Sequence, residues 1–96
     1  MKRFKLSPPA AEYIREAWAF IARDNLDAAR RFRLRILEAC RTIAQNPRIG
    51  HSREDLTSKP VLFWPEGKYL IIYNPARTPI EIVRVLHGAR DVPKLV

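Results

Sequence analysis

A chain of 96 residues, 47% of them hydrophobic, is long enough for one folded domain spanning 1–96, and a domain of that size buries only about two thirds of the surface its unfolded form exposes. Its 18 Lys plus Arg against 10 Asp plus Glu give a formal net charge of +8, which suits an acidic partner, whether nucleic acid, the ribosome or an acidic protein segment. The apolar runs are too short to cross a membrane and no apolar signal core follows Met1-Lys2-Arg3, so the expectation is a cytoplasmic protein without membrane contact; the lone Cys40 permits no internal disulfide and argues against a metal cluster.

Lys2 to Leu6 alternates apolar Phe4 and Leu6 with basic Arg3 and Lys5, the pattern of a short half-buried strand. Ser7 then reads as a helix N-cap, with Pro8 at the first helical position, where its missing N–H is not needed. The helix is predicted to run to about Ala22, because Ala10, Tyr13, Ile14, Ala17, Trp18 and Ile21 share one face, opposite Glu12, Arg15, Glu16 and Arg23. Trp18 reads as core.

Asp24-Asn25 breaks the helix and offers a cap for a second one, with Asp27 in its first turn and Asn46-Pro47 ending it after about Gln45. At about 100° per residue, Leu26, Ala29, Phe32, Ile36, Leu37, Cys40, Ile43 and Ala44 form one stripe. Two residues break the pattern. Arg33 lies inside the stripe and is expected to snorkel, its stem packed and its head in water. Leu34 lies among Arg31, Arg35, Glu38 and Arg41, where it is either a solitary exposed leucine or, with Arg31 and Arg35, a partner surface.

Pro47 to Pro60 reads as the long loop of the molecule, rich in Arg48, His51, Arg53, Glu54, Asp55 and Lys59. Val61 to Trp64 restarts strand, Pro65-Glu66-Gly67-Lys68 turns it, and Lys68 to Asn74 continues with Tyr69, Ile71 and Tyr73 alternating against Leu70 and Ile72. A second turn at Pro75 to Thr78 leads into Ile80 to His87, whose Ile80, Ile82, Val83, Val85 and Leu86 suit a central strand buried on both faces. Strict alternation would put Arg84 on the same face as Ile82 and Leu86. The element order is βααβββ, an α+β domain in which an antiparallel two-helix hairpin packs on a small, mainly antiparallel sheet.

No Gly-rich phosphate loop, HExxH, CxxC or Gly-x-Ser-x-Gly pattern occurs, which leaves basic and histidine chemistry. His51, Lys59, His87, Arg84 and Arg90 are the groups that could take and give protons and hold phosphorane charge in RNA cleavage, though their spacing does not force them together. His87 reads first as closing the turn after the strand against Asp91, ahead of any catalytic role. Arg84 reads as a binding residue or as the partner of Glu81, Asp91 or a carboxylate elsewhere in the fold.

The run RVLHGARD, preceded by YLIIYNPARTPIEI, resembles the end of a ParE toxin of the RelE/ParE superfamily, the resemblance resting on Arg84, Leu86, His87, Gly88, Arg90 and Asp91 with Tyr69 and Tyr73 before them. The resemblance implies the RelE/ParE-like fold and the toxic half of a bacterial type II toxin-antitoxin pair. RelE-like members cut messenger RNA in the ribosomal A site, usually with a C-terminal Tyr or His, whereas ParE-like members inhibit DNA gyrase and carry no recognised nuclease site. This chain closes RDVPKLV, with neither after Asp91, which favours the ParE side. The implied partners are a ParD-like antitoxin and DNA gyrase, with no cofactor, no metal and no sequence-specific nucleic acid. Arg84, His87, Arg90, Asp91 and Lys94 are expected to face the target, and Arg31, Leu34, Arg35, Tyr69 and Tyr73 the antitoxin. A toxin-like fold reduced to an antitoxin-binding module is the remaining alternative.

Overall fold

The computed structural model describes residues 3–91. Its elements are β1 (Phe4–Leu6), α1 (Pro8–Ala22), α2 (Leu26–Gln45), β2 (Leu62–Glu66), β3 (Tyr69–Asn74), β4 (Ile80–His87) and a single helical turn, α3 (Gly88–Asp91). The helices start where the capping residues stand. Ser7 is extended and its Oγ accepts from the Ala10 N–H at 3.2 Å, while Asn25 Oδ1 accepts from the Ala28 N–H at 2.9 Å. Each bond satisfies one of the N–H groups that a helix start leaves without a partner.

The hairpin lays its apolar stripes on one face of the sheet. Ala10 and Ile14 of α1 and Phe32, Ile36, Cys40 and Ile43 of α2 meet Ile71, Tyr73, Ile80, Ile82 and Val85 from the strands. Ile36, Ile43, Ile71 and Ile82 are fully buried, each burial contributing about 1.5–3 kcal/mol. Cys40 is a packing residue, and burial pushes its thiol up to about 12. Leu26 departs from the expected stripe and is 45% exposed, because it opens α2 at the end of the hairpin where nothing covers it. Trp18 packs partly buried against the core, and Arg33 is exposed.

The sheet order is β1-β4-β3-β2, with β1 parallel to β4 and the other pairs antiparallel. The apolar run of β4 therefore does mark the centre of the sheet. Strand β2 runs on through Pro65 to Glu66 rather than stopping at Trp64. It is an edge strand, so the missing proline N–H costs no ladder bond. The hairpin turn is correspondingly tighter than expected, with Gly67 at a φ of 58°.

The other face of the sheet is also apolar: Phe63, Leu70, Ile72 and Leu86 are buried there, with Leu56 and Val61 of the long loop packed over them. That loop is pinned to the sheet at its start. His51 and Phe63 exchange backbone hydrogen bonds of 2.8 and 2.7 Å, and the Tyr73 hydroxyl donates to the Pro47 carbonyl at 2.7 Å while accepting from the Gly50 N–H at 2.8 Å.

One irregularity changes the reading of β4. Tyr73 pairs with Ile82 but Ile72 pairs with Arg84, so Val83 is an extra residue without a ladder partner on β3. The bulge shifts the alternation by one. Ile82 and Val85 both face the helices, whereas Arg84 falls opposite Ile72 on the helix-free side with Leu86. Strict alternation thus misplaces Arg84 relative to Ile82, and the guanidinium is exposed instead of opposing the hairpin.

Candidate functional site

The end of β4 is fastened to three other elements. The Gly88 N–H donates to the Lys68 carbonyl at 2.8 Å, which ties the start of α3 to the β2–β3 turn. The His87 N–H donates to Asp91 Oδ2 at 2.9 Å, and His87 Nδ1 accepts from the Arg90 N–H at 3.2 Å. With Nδ1 engaged as acceptor, the neutral ring carries its proton on Nε2. His87 also stands edge-on to the Tyr69 ring, with centroids 5.6 Å apart, and Tyr69 in turn packs against Phe32 at 4.8 Å.

Tyr13 of α1 completes the cluster: its hydroxyl donates to Asp91 Oδ2 at 2.8 Å and accepts from Arg90 Nη2 at 3.3 Å. Arg90 Nε lies 3.4 Å from Asp91 Oδ1. The bond from the His87 backbone N–H is the main cause that holds the Asp91 carboxyl below its usual range, with the Tyr13 and Arg90 bonds adding to it. Burial, reinforced by Asp91, pushes the Tyr13 hydroxyl up to about 12. Tyr13 is consequently a fixed donor at neutral pH and cannot serve as a base there.

Around this cluster lies a groove of about 450 Å³ walled by Tyr13, Phe20, Lys68, Tyr69, His87 and Arg90. Phe20 is 65% exposed beside it. A second groove, of about 360 Å³, runs between α2 and the β2–β3 turn, with Arg31 and Arg35 above a floor of Phe32 and Tyr69. A third, of about 550 Å³, crosses the outer face of the hairpin, where Trp18, Leu34 and Leu37 are rimmed by Arg15, Arg30 and Arg33.

Of the residues expected to face a target, His87, Arg90 and Asp91 come together. Asp91 spends its carboxylate internally, its side chain only 18% exposed. Arg84 stands three residues up the strand, about 10 Å away at the usual strand rise, and no described carboxylate pairs with it. Lys94 lies outside the described residues. His51 reaches β4 only through Phe63 and Ile72, three ladder steps or about 14 Å from Arg84, so it does not meet His87. Lys59 sits on the long loop, exposed.

Of the residues expected to face an antitoxin, Arg31, Arg35 and Tyr69 share one groove and Leu34, 58% exposed, opens onto another. Tyr73 is a correction. It has no exposed surface, because the Pro47–Gly50 corner closes over its ring and takes both hydrogen-bonding capacities of its hydroxyl. Tyr13 and Lys68 were invisible as site residues: Tyr13 has the spacing of a core position on α1, and only the tertiary fold brings it to Asp91.

Two helices on one face of a four-stranded mixed sheet make an α+β domain compatible with the RelE/ParE-like fold. A family model described as the ParE toxin of type II toxin-antitoxin system, parDE, matches residues 4–92, and the chain belongs to that family. No curated protein matches it. Among the described residues no helix is long and apolar enough to cross a membrane.

Proposed function

We propose that this type II toxin inhibits DNA gyrase in the cytoplasm, so blocking replication, and that a ParD-like antitoxin neutralises it. The observation that carries this reading is the match to the ParE family over residues 4–92. Two features of the molecule support it over ribosome-dependent RNA cleavage. His51 and His87 are held on different parts of the sheet, and the tyrosine nearest His87's partner Asp91 is locked as a hydrogen-bond donor. The target-facing surface in this reading is Arg84 together with the His87–Arg90 strand end and Lys94.

The antitoxin is then an acidic, partly apolar segment laid over the hairpin. Both helical grooves have apolar floors and arginine rims, the chemistry that takes an amphipathic acidic helix. The net charge of +8 suits the same partner.

The deciding experiment is brief induction without antitoxin, with DNA and protein synthesis pulse-labelled in one culture. Early loss of DNA synthesis, followed by inhibition of purified gyrase in a supercoiling assay, is the expected result. Loss of protein synthesis first replaces gyrase with the ribosome. If neither falls, the chain is a binding module without toxicity.

A further inference from the structure

The bulge that turns Arg84 outward is held by a residue from the opposite end of the sequence. Strand β1 ends opposite Ile82, and Ser7, the next residue, continues along β4 past the end of the ladder. Its N–H donates to the Ile82 carbonyl at 2.9 Å and its hydroxyl to the Val83 carbonyl at 2.6 Å. One residue thereby takes two successive carbonyls at the point where β4 leaves its register with β3. The same hydroxyl accepts from the Ala10 N–H at 3.2 Å, so it must donate and accept at once. Ser7 is 8% exposed, which leaves little room for water to stand in for it.

We propose that Ser7 is a positioning residue for Arg84, locking the Val83 bulge and so fixing the outward direction in which the guanidinium meets the target. The proposal rests on the reading of Arg84 as target-facing. Without the bulge, the alternation that puts Ile80 and Ile82 against the helices carries Arg84 inward as well. A loosened bulge leaves the strand centre intact, through Ile82 and Val85, but lets the direction of Arg84 vary.

The test separates this role from simple helix capping. Ser7→Gly removes the bond to Val83 and costs an N-cap only slightly. Ser7→Thr keeps a hydroxyl that can donate and accept. Asn25→Ala removes the cap of α2, far from β4, and serves as the control for lost stability. Growth arrest and gyrase supercoiling are measured side by side for each protein, with thermal melts to confirm folding at the assay temperature.

The expected result is an activity loss of about tenfold for Ser7→Gly, with Ser7→Thr and Asn25→Ala within about twofold of the parent. In an Arg84→Ala background, Ser7→Gly adds less than about twofold. The proposal is overturned by full activity in Ser7→Gly, or by losses from Ser7→Gly and Arg84→Ala that multiply in full. An Arg84→Ala protein as active as the parent overturns it too. A parent that arrests growth without inhibiting gyrase removes only the gyrase reading, and the same cycle read in growth arrest still decides the role of Ser7.

Discussion

The Tyr13 hydroxyl on α1 donates a 2.8 Å hydrogen bond to the Asp91 carboxylate, joining two residues 78 positions apart. This bond fastens the helical hairpin to the turn that carries Arg90. Tyr13→Phe removes it with little change of shape and leaves the Asp91 carboxylate with one partner fewer. Since the pair is only partly buried, the expected loss is about 1 kcal/mol, read from urea denaturation of the two proteins. An unchanged midpoint shows that the bond contributes nothing to stability.

The same pair predicts both limbs of the stability-pH profile. Asp91 titrates lower when folded than when unfolded, so its contribution is present above the ordinary carboxylate range and fades as pH falls through the depressed value. Tyr13 titrates higher when folded, so its contribution is complete below about 10, the ordinary tyrosine value, and is lost as pH rises toward about 12. Asp91→Asn should flatten the acid limb. Tyr13→Phe should flatten part of the alkaline limb, the rest belonging to Tyr73, whose hydroxyl is also pushed up by burial. Urea midpoints across the pH range check both.

Gly50 is a packing requirement. A Cβ there would lie 2.7 Å from the Tyr73 hydroxyl oxygen and 2.8 Å from its ring edge. Tyr73 cannot retreat, being fully buried with its hydroxyl bonded on both sides. Gly50→Ala is therefore expected to destabilise the fold by about 1–3 kcal/mol, measured by thermal or urea denaturation. Gly67→Ala makes the contrast, since nothing lies within 4 Å of its Cβ position and the strain there comes from a φ of 58° alone.

Antitoxin and target surfaces should separate by mutation. Arg31→Glu with Arg35→Glu reverses the rim of the groove over Phe32 and Tyr69 and is expected to weaken antitoxin binding at least about tenfold, more at low salt. Arg90→Ala, at the strand end, should abolish growth arrest while antitoxin binding survives. Calorimetric titration against the antitoxin, beside growth curves, measures both. Arrest that persists in Arg90→Ala removes that residue from the target surface.

The elements were legible because their punctuation is local. Ser7-Pro8, Asn25 and Asn46-Pro47 bracket the two helices by backbone chemistry that needs no tertiary context. The apolar run of β4 likewise announces a strand covered on both faces. What the chain did not disclose depends on contacts between distant segments. Tyr69 and Tyr73 obey the same alternation and lie on the same face, yet one lines a groove and the other disappears beneath Pro47 and Gly50. The direction of Arg84 turns on one extra residue, and nothing in IEIVRVLH marks Val83 as that residue. Tyr13 is a site residue only by virtue of Asp91.

Strand β4 is synthesised after both strands that flank it. Until β4 is made, β1 has no strand to pair with and the sheet has no centre. The pairing of β1 with β4 spans nearly the whole length of the chain, the kind of long-range contact that slows folding. A chain that stops before β4 carries neither the strand end nor Arg84. The contacts that turn Arg84 outward therefore all wait on the last strand, which Ser7 at the other end of the sequence then clamps.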